Sequence, residues 1–233
     1  MAPKVLAYDL EFARPLPYGD WRRQTECGVG VLASWSNQES EPRIWLPDEG
    51  PHIWKDFARH ALEHEVFLTW NGLGCDDPLI HASFPLWAEV LKCGKRLDLG
   101  AVVGLYALSA KKELDLDYLG FVLTRGVPNN YPELVGYKPT AKVNVRSGWR
   151  LEATYCTTFG LAGSKSMPAE EAPIRWQAGK RGEVIGYCVG DAKRLLDLWK
   201  HAWAGELLKS HQGPEVLVPQ AVLGVSGAGA RSG

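Results

Sequence analysis

The sequence predicts an α/β sandwich on a mixed sheet, with helices on both faces. Three observations predict it: the chain opens with a three-stranded meander of alternating apolar residues, a strand–helix–strand pattern follows, and one long amphipathic helix closes the patterned region.

In the first element, Val5 to Phe12, the residues Tyr8, Leu10 and Phe12 alternate with Asp9 and Glu11, the period of a strand. Gly28 to Trp35 and Arg43 to Leu46 flank the polar stretch SNQESEP and complete the meander. Residues 54–64 place Trp54, Phe57, Ala58, Ala61 and Leu62 at helical spacing, and Glu65 to Trp70 reads as a buried strand. Asp77 is then expected to cap a helix with Pro78 in its first turn, and Pro85 to break or kink that helix midway. Apolar periodicity returns over 97–108 and 114–124 and lapses over 126–148, rich in Gly, Pro and Asn. From about Gly182 to Glu206, the residues Ile185, Cys188, Ala192, Leu195 and Trp199 form one apolar stripe. One domain over residues 1–210 is expected, with 211–233 drifting into Gly, Ser and Ala as a flexible tail.

Composition narrows the function classes. The 233 residues are 45% hydrophobic and 23% charged, which excludes disorder and collagen-like repeats. A formal net charge of −1 supplies no global basic field, so any nucleic-acid partner must be held by a local patch. No apolar run reaches the roughly 20 residues of a membrane span. MAPKVLAYDLEFA meets two acids before a signal-peptide core could form, so a cytoplasmic protein is expected. Five scattered cysteines without a CxxC pair suggest neither a disulfide framework nor a cysteine zinc site.

The chemistry begins with Asp9 and Glu11. Two residues apart on a strand, they share one face of the pleat, roughly 6–7 Å apart. At an effective dielectric near 20 they repel by roughly 2.5 kcal/mol, which invites a divalent cation between them. Further acids stand at two element ends. Asp76 follows the turn Asn71-Gly72 and Gly74, and Asp191 lies four residues after Tyr187, on the same helix face.

Taken together, YDLEF (8–12), WNGLGCDDPLI (70–80) and YCVGD (187–191) resemble the three motifs of the DEDD exonuclease superfamily, tyrosine variant. Its best-known members are the 3′-to-5′ proofreading domains of DNA polymerases, on an RNase H-like fold. The resemblance extends through RLDL (96–99), LDLDYLG (114–120) and APIRWQAGKRGEVIGYC (172–188), covering roughly residues 4–204. It implies metal ligation by Asp9, Glu11, Asp76 and Asp191, and a water-orienting role for Tyr187. It also implies that Leu10, Phe12, Asn71 and Gly72 border the terminal nucleotide. Two positions depart from the family pattern: Phe12 stands where many members have threonine, and Cys75 where phenylalanine is usual.

The implied activity is hydrolysis of a single strand from its 3′ end, DNA favoured, with two Mg²⁺ or Mn²⁺ ions about 3.5–4 Å apart. Replication or repair proteins such as a polymerase or helicase are the implied partners. The sequence adds a candidate grip: 137–150 carries Lys138, Lys142, Arg146 and Arg150 without an acid, beside Tyr137 and Trp149 as stacking platforms. Lys92, Lys95 and Arg96 form a second basic group.

Three features of the sequence admit competing readings. His60, Glu63 and His64 spell the inverted zinc-protease motif, but they lie beside or opposite the apolar stripe of their helix, whereas a catalytic zinc helix should face a buried cleft. Gly28-Val29-Gly30 mimics a dinucleotide fingerprint without the preceding strand and following helix it needs. A module that binds nucleic acid or a partner protein without cutting would ordinarily have lost metal-binding acids, and all four are present.

Overall fold

The computed structural model describes residues 2–110, 150–162, 167–209 and 215–224. Five strands form the main sheet: β1 (Val5–Phe12), β2 (Val29–Ser36), β3 (Arg43–Trp45), β4 (Val66–Thr69) and β5 (Lys95–Asp98). Their spatial order is β3-β2-β1-β4-β5. The β1–β2 and β2–β3 pairs are antiparallel, whereas β1–β4 and β4–β5 are parallel. A meander extended by two parallel strands, with helices on both faces, is the RNase H-like sandwich.

Between β3 and β4 runs α1 (His52–Ala61). The short helices α2 (Asp76–Ser83) and α3 (Trp87–Val90) connect β4 to β5, and α4 (Leu99–Ala110) follows directly. Later come α5 (Leu151–Phe159), α6 (Ala172–Gln177), the long α7 (Arg181–Trp203), and the small elements β6 (Leu208–Lys209), β7 (Glu215–Val216) and α8 (Gln220–Leu223).

Strand β1 is central because both of its faces are apolar over most of its length. Leu6, Tyr8 and Leu10 join a cluster with Phe57 of α1, Leu79 of α2 and Trp87 of α3. Val5 and Ala7, on the opposite face, join Leu195, Leu198 and Trp199 of α7. By alternation Asp9 and Glu11 continue this second face, toward α7.

Two expectations need correction. Helix α2 begins at Asp76 and its cap position is Cys75, which makes no side-chain capping bond, so Asp77 lies within the first turn and is not the cap. Pro85 breaks the helix as expected: α2 ends at Ser83, and Pro85 stands between α2 and α3. The stretch read as a tail is also partly built into the fold. β7 pairs with β6, and Val216, Val218 and Leu223 are buried. Trp199 Nε1 donates to the Leu223 carbonyl at 3.0 Å. Lys95 Nζ caps the end of α8, donating to the carbonyls of Ala221, Val222 and Gly224 at 3.2, 2.6 and 2.5 Å. No helix among the described residues is long and apolar enough to cross a membrane.

Candidate metal centre

Asp9 pairs with Ala33 and Glu11 with Val31 across β1 and β2. Ala33 and Val31 are short, and they pack with Tyr187, Cys188 and Ala192 of α7, which brings that helix close above the strand carboxylates. The Cys188 thiol donates to the Asp9 carbonyl at 3.3 Å and ties helix to strand at this level. Asp9, Glu11 and Asp191 consequently each offer a carboxylate oxygen within 4.8 Å of the others. Among the described residues this is the one group of His, Cys, Asp and Glu with such spacing.

The group is poorly hydrated. Glu11 and Asp191 are each 8% exposed, and Asp76 is 3% exposed. Burial, then the charges of Asp76, Glu11 and Asp191, push the Asp9 carboxyl well above the ordinary carboxylate range. Burial raises Asp76 as well, with Asp77 and Asp98 adding to it, while a hydrogen bond from the Leu10 backbone acts in the opposite sense. The Tyr187 phenol is raised by burial and by Asp191, Glu11 and Asp9, and it hydrogen-bonds Asp191. Its proton therefore stays on at neutral pH. Crowded, partly dehydrated carboxylates are an all-oxygen donor set that fits a hard divalent cation.

Asp76 is not a member of the 4.8 Å group. It approaches electrostatically, since its charge is the largest like-charge influence on Asp9. The turn before it is rigidly specified. Asn71 adopts a left-handed φ of 64°. A Cβ at Gly72 would lie 2.4 Å from the Thr69 side chain, so only glycine fits there. The buried Asp98 carboxylate gathers the turn, accepting from the backbone N–H of Asn71 at 2.9 Å, Leu73 at 3.4 Å and Ala101 at 3.1 Å. The sequence reading passed over Asp98 and its turn-holding role, although it stands within the RLDL stretch. It also passed over Arg194, whose Nη1 donates to Asp191 Oδ1 at 2.7 Å. The i,i+3 spacing on a helix was the available signal.

Other predicted residues divide clearly. Asn71 is exposed, and Phe12 packs edge-on against Trp21 at 6.1 Å. Lys138, Lys142, Arg146 and Trp149 lie outside the described residues. The second basic group is committed to structure: Lys92 pairs with Glu89 at 2.7 Å, Arg96 with Asp77 at 2.5 Å, and Lys95 caps α8. His60 and His64 are buried, and neither belongs to a metal-spaced group. His64 spends both ring nitrogens, Nδ1 on the His60 carbonyl at 2.9 Å and Nε2 on Ser36 Oγ at 2.8 Å. The inverted zinc-protease reading fails because these contacts are those of a core histidine pair. The Gly-Val-Gly sequence resolves into a β-bulge: Glu11 pairs with Val31 and Phe12 with Val29, leaving Gly30 extra. A Cβ on Gly30 would approach the Trp176 indole to 3.0 Å.

Fold and cluster together define an RNase H-like α/β domain with three acids able to bind a metal ion. Neither a protein-family model nor a curated protein matches the sequence. Among solved structures, the chain is similar to the family B DNA polymerase from the hyperthermophilic archaeon Pyrobaculum calidifontis. That match has a TM-score of 0.50 and 16% identity, covering 86% of this chain and 24% of the polymerase chain. The chain thus spans about a quarter (24%) of that structure, and the likeness is one of fold.

Proposed function

We propose that this protein is a metal-dependent 3′-to-5′ exonuclease acting on single-stranded nucleic acid, DNA favoured. The observation that carries the reading is the convergence of Asp9, Glu11 and Asp191 within 4.8 Å on a dehydrated face of the sheet. Asp76, which presses electrostatically on Asp9, is the fourth carboxylate of the proposed centre. Divalent ions held there, two Mg²⁺ or Mn²⁺ in the proposal, would supply a water of lowered pKa and a Lewis acid for the leaving oxygen.

The chain's own residues set the geometry. Tyr187 keeps its proton, so it orients a water by hydrogen bonding and does not act as a base. Leu10, Phe12, Asn71 and Gly72 border the proposed seat of the terminal nucleotide. Lys138, Lys142, Arg146 and Trp149 are the proposed grip on the strand beyond it. Residues 1–210 are the proposed catalytic domain, working beside a replication or repair protein such as a polymerase or helicase in the cytoplasm.

The test is incubation with 5′-labelled single- and double-stranded DNA and RNA in Mg²⁺, Mn²⁺ or EDTA. A ladder shortening from the 3′ end, absent in EDTA and absent for Asp9→Ala, is expected. Intact substrate under every metal condition would overturn the reading.

A further inference from the structure

Helix α5 runs alongside α7 in the same direction and in a constant register. The Tyr155 hydroxyl donates to Asp197 at 3.5 Å, and Phe159 meets the His201 ring at 5.1 Å, each pair 42 residues apart. One turn earlier the same register sets Glu152 of α5 beside Arg194 of α7. Glu152 is 7% exposed, yet it forms no ion pair with a described residue. An acid in the first turn of a helix complements the helix dipole, but that role needs no burial.

Arg194 feels two carboxylates. Burial works against its charge, and the hydrogen bond and charge of Asp191, followed by the charge of Glu152, outweigh burial and raise its pKa. In this structure the guanidinium gives its Nη1 bond to Asp191 at 2.7 Å. The Arg194 side chain is 25% exposed, and Gly190 has no side chain to wedge it, since an added Cβ would stand 3.5 Å from Nη1. Asp197, one turn along α7, is already paired with Lys193 at 2.6 Å. Glu152 lies outside the group of acids with metal spacing, so it bears on that group through the arginine. A divalent ion on Asp191 would repel the guanidinium and compete for its acceptor, and a partly buried guanidinium left unpaired is costly. Glu152 gives it a second seat.

We infer that Arg194 is handed from Asp191 to Glu152 when a divalent cation takes the Asp191 carboxylate. The inference rests on the metal-centre part of the proposed function and adds two positioning residues to it. Arg194 is the countercharge of the metal-free centre, and Glu152 lowers the cost of displacing it.

The test is calorimetric titration of Mn²⁺ into metal-free wild type, Glu152→Gln, Glu152→Asp, Arg194→Gln and the Glu152→Gln/Arg194→Gln double variant, with thermal melts in EDTA to verify folding. Glu152→Gln should weaken Mn²⁺ binding about 10-fold, while Glu152→Asp, which keeps the charge, should stay within about threefold of wild type. In the Arg194→Gln background, Glu152→Gln should cost less than about threefold, because no cation remains to be moved. An equal loss in both backgrounds would mean that Glu152 acts on the ions through its field alone, and would overturn the handover. A second measurement needs no Glu152 variant: Mg²⁺ should move the Arg194 Nε–H resonance of wild type, identified by its loss in Arg194→Gln. An unmoved resonance would overturn the handover as well. Strand shortening without the coupling between Glu152 and Arg194 leaves the nuclease reading standing and removes the handover. Coupling without hydrolysis removes the nuclease reading and leaves the handover, and a wild type that binds no Mn²⁺ removes both.

Discussion

The Tyr8 phenol donates a 2.7 Å hydrogen bond to Asp77, the neighbour of Asp76, deep between β1 and α2. Asp77 also accepts from Trp87 Nε1 at 3.1 Å and pairs with Arg96. Two adjacent aspartates thus have separate surroundings: Asp77 satisfies buried donors from three elements, while the charge of Asp76 bears on Asp9. Asp77→Ala should destabilise the fold by about 3 kcal/mol or more, since it strands the Tyr8 hydroxyl and Trp87 indole. Asp76→Asn should leave the metal-free protein at least as stable to urea, since it removes the largest like charge acting on Asp9, and should abolish metal-dependent hydrolysis. Equal loss of stability in both variants would contradict the division.

Asp9 sits among like charges with little water to screen them. Asp9→Asn should therefore raise the melting temperature of the metal-free protein and remove most of the stabilisation conferred by added Mn²⁺. Differential scanning calorimetry with EDTA and with Mn²⁺ checks both halves. A lower metal-free melting point would reject the repulsion argument.

In the proposed mechanism Tyr187 contributes orientation, and the carboxylates contribute the ligands. Tyr187→Phe should slow hydrolysis about 10- to 100-fold, whereas Asp191→Ala or Asp9→Ala should lose it entirely. Single-turnover rates on a labelled strand decide, and a phenylalanine variant as inactive as the alanine variants would refute the assignment.

The Arg194 guanidinium pairs with Asp191 at 2.7 Å and would compete with a cation for that carboxylate. Arg194→Gln should lower the Mg²⁺ concentration needed for half-maximal thermal stabilisation several-fold. A higher requirement would mean that the arginine holds Asp191 in a binding orientation.

The buried histidine pair makes the fold acid-sensitive. Burial lowers the His60 pKa, with Arg43 and His64 acting in the same direction and Glu39 and Glu63 opposing. Burial likewise lowers His64, partly offset by its bond to the His60 carbonyl. Groups depressed below an unfolded value near 6.5 favour the folded state while neutral, and this contribution declines as pH falls below about 6.5. Urea unfolding at pH 7.5 and 5.5 should show reduced stability at the lower pH. Replacing both histidines by glutamine should shrink that difference.

The strand period around Asp9 and Glu11 was enough to put both on one face, and the Tyr187/Asp191 spacing enough to stack them on one helix. Each is a local regularity, fixed by backbone geometry within a few residues. The role of Asp77 was misread because Asp-Pro favours a helix start, and a capping preference of about 1 kcal/mol gives way to three buried donors. Residues 215–224 escaped notice for the opposite reason: Val216, Val218 and Leu223 are too few to show a period, and their burial depends on contacts with α7 and Lys95 far away in sequence.

Gly30 gives the centre a mechanical dependence. Its missing side chain lets the Trp176 indole lie flat on the bulge of β2, and Arg181 in turn stacks over that indole at 4.7 Å while pairing with Asp48. The first turn of α7 is thereby seated on the sheet nearly three turns ahead of Asp191. A methyl group at residue 30 would act as a shim under that seat, lifting the helix and spreading the acids apart without touching any of them.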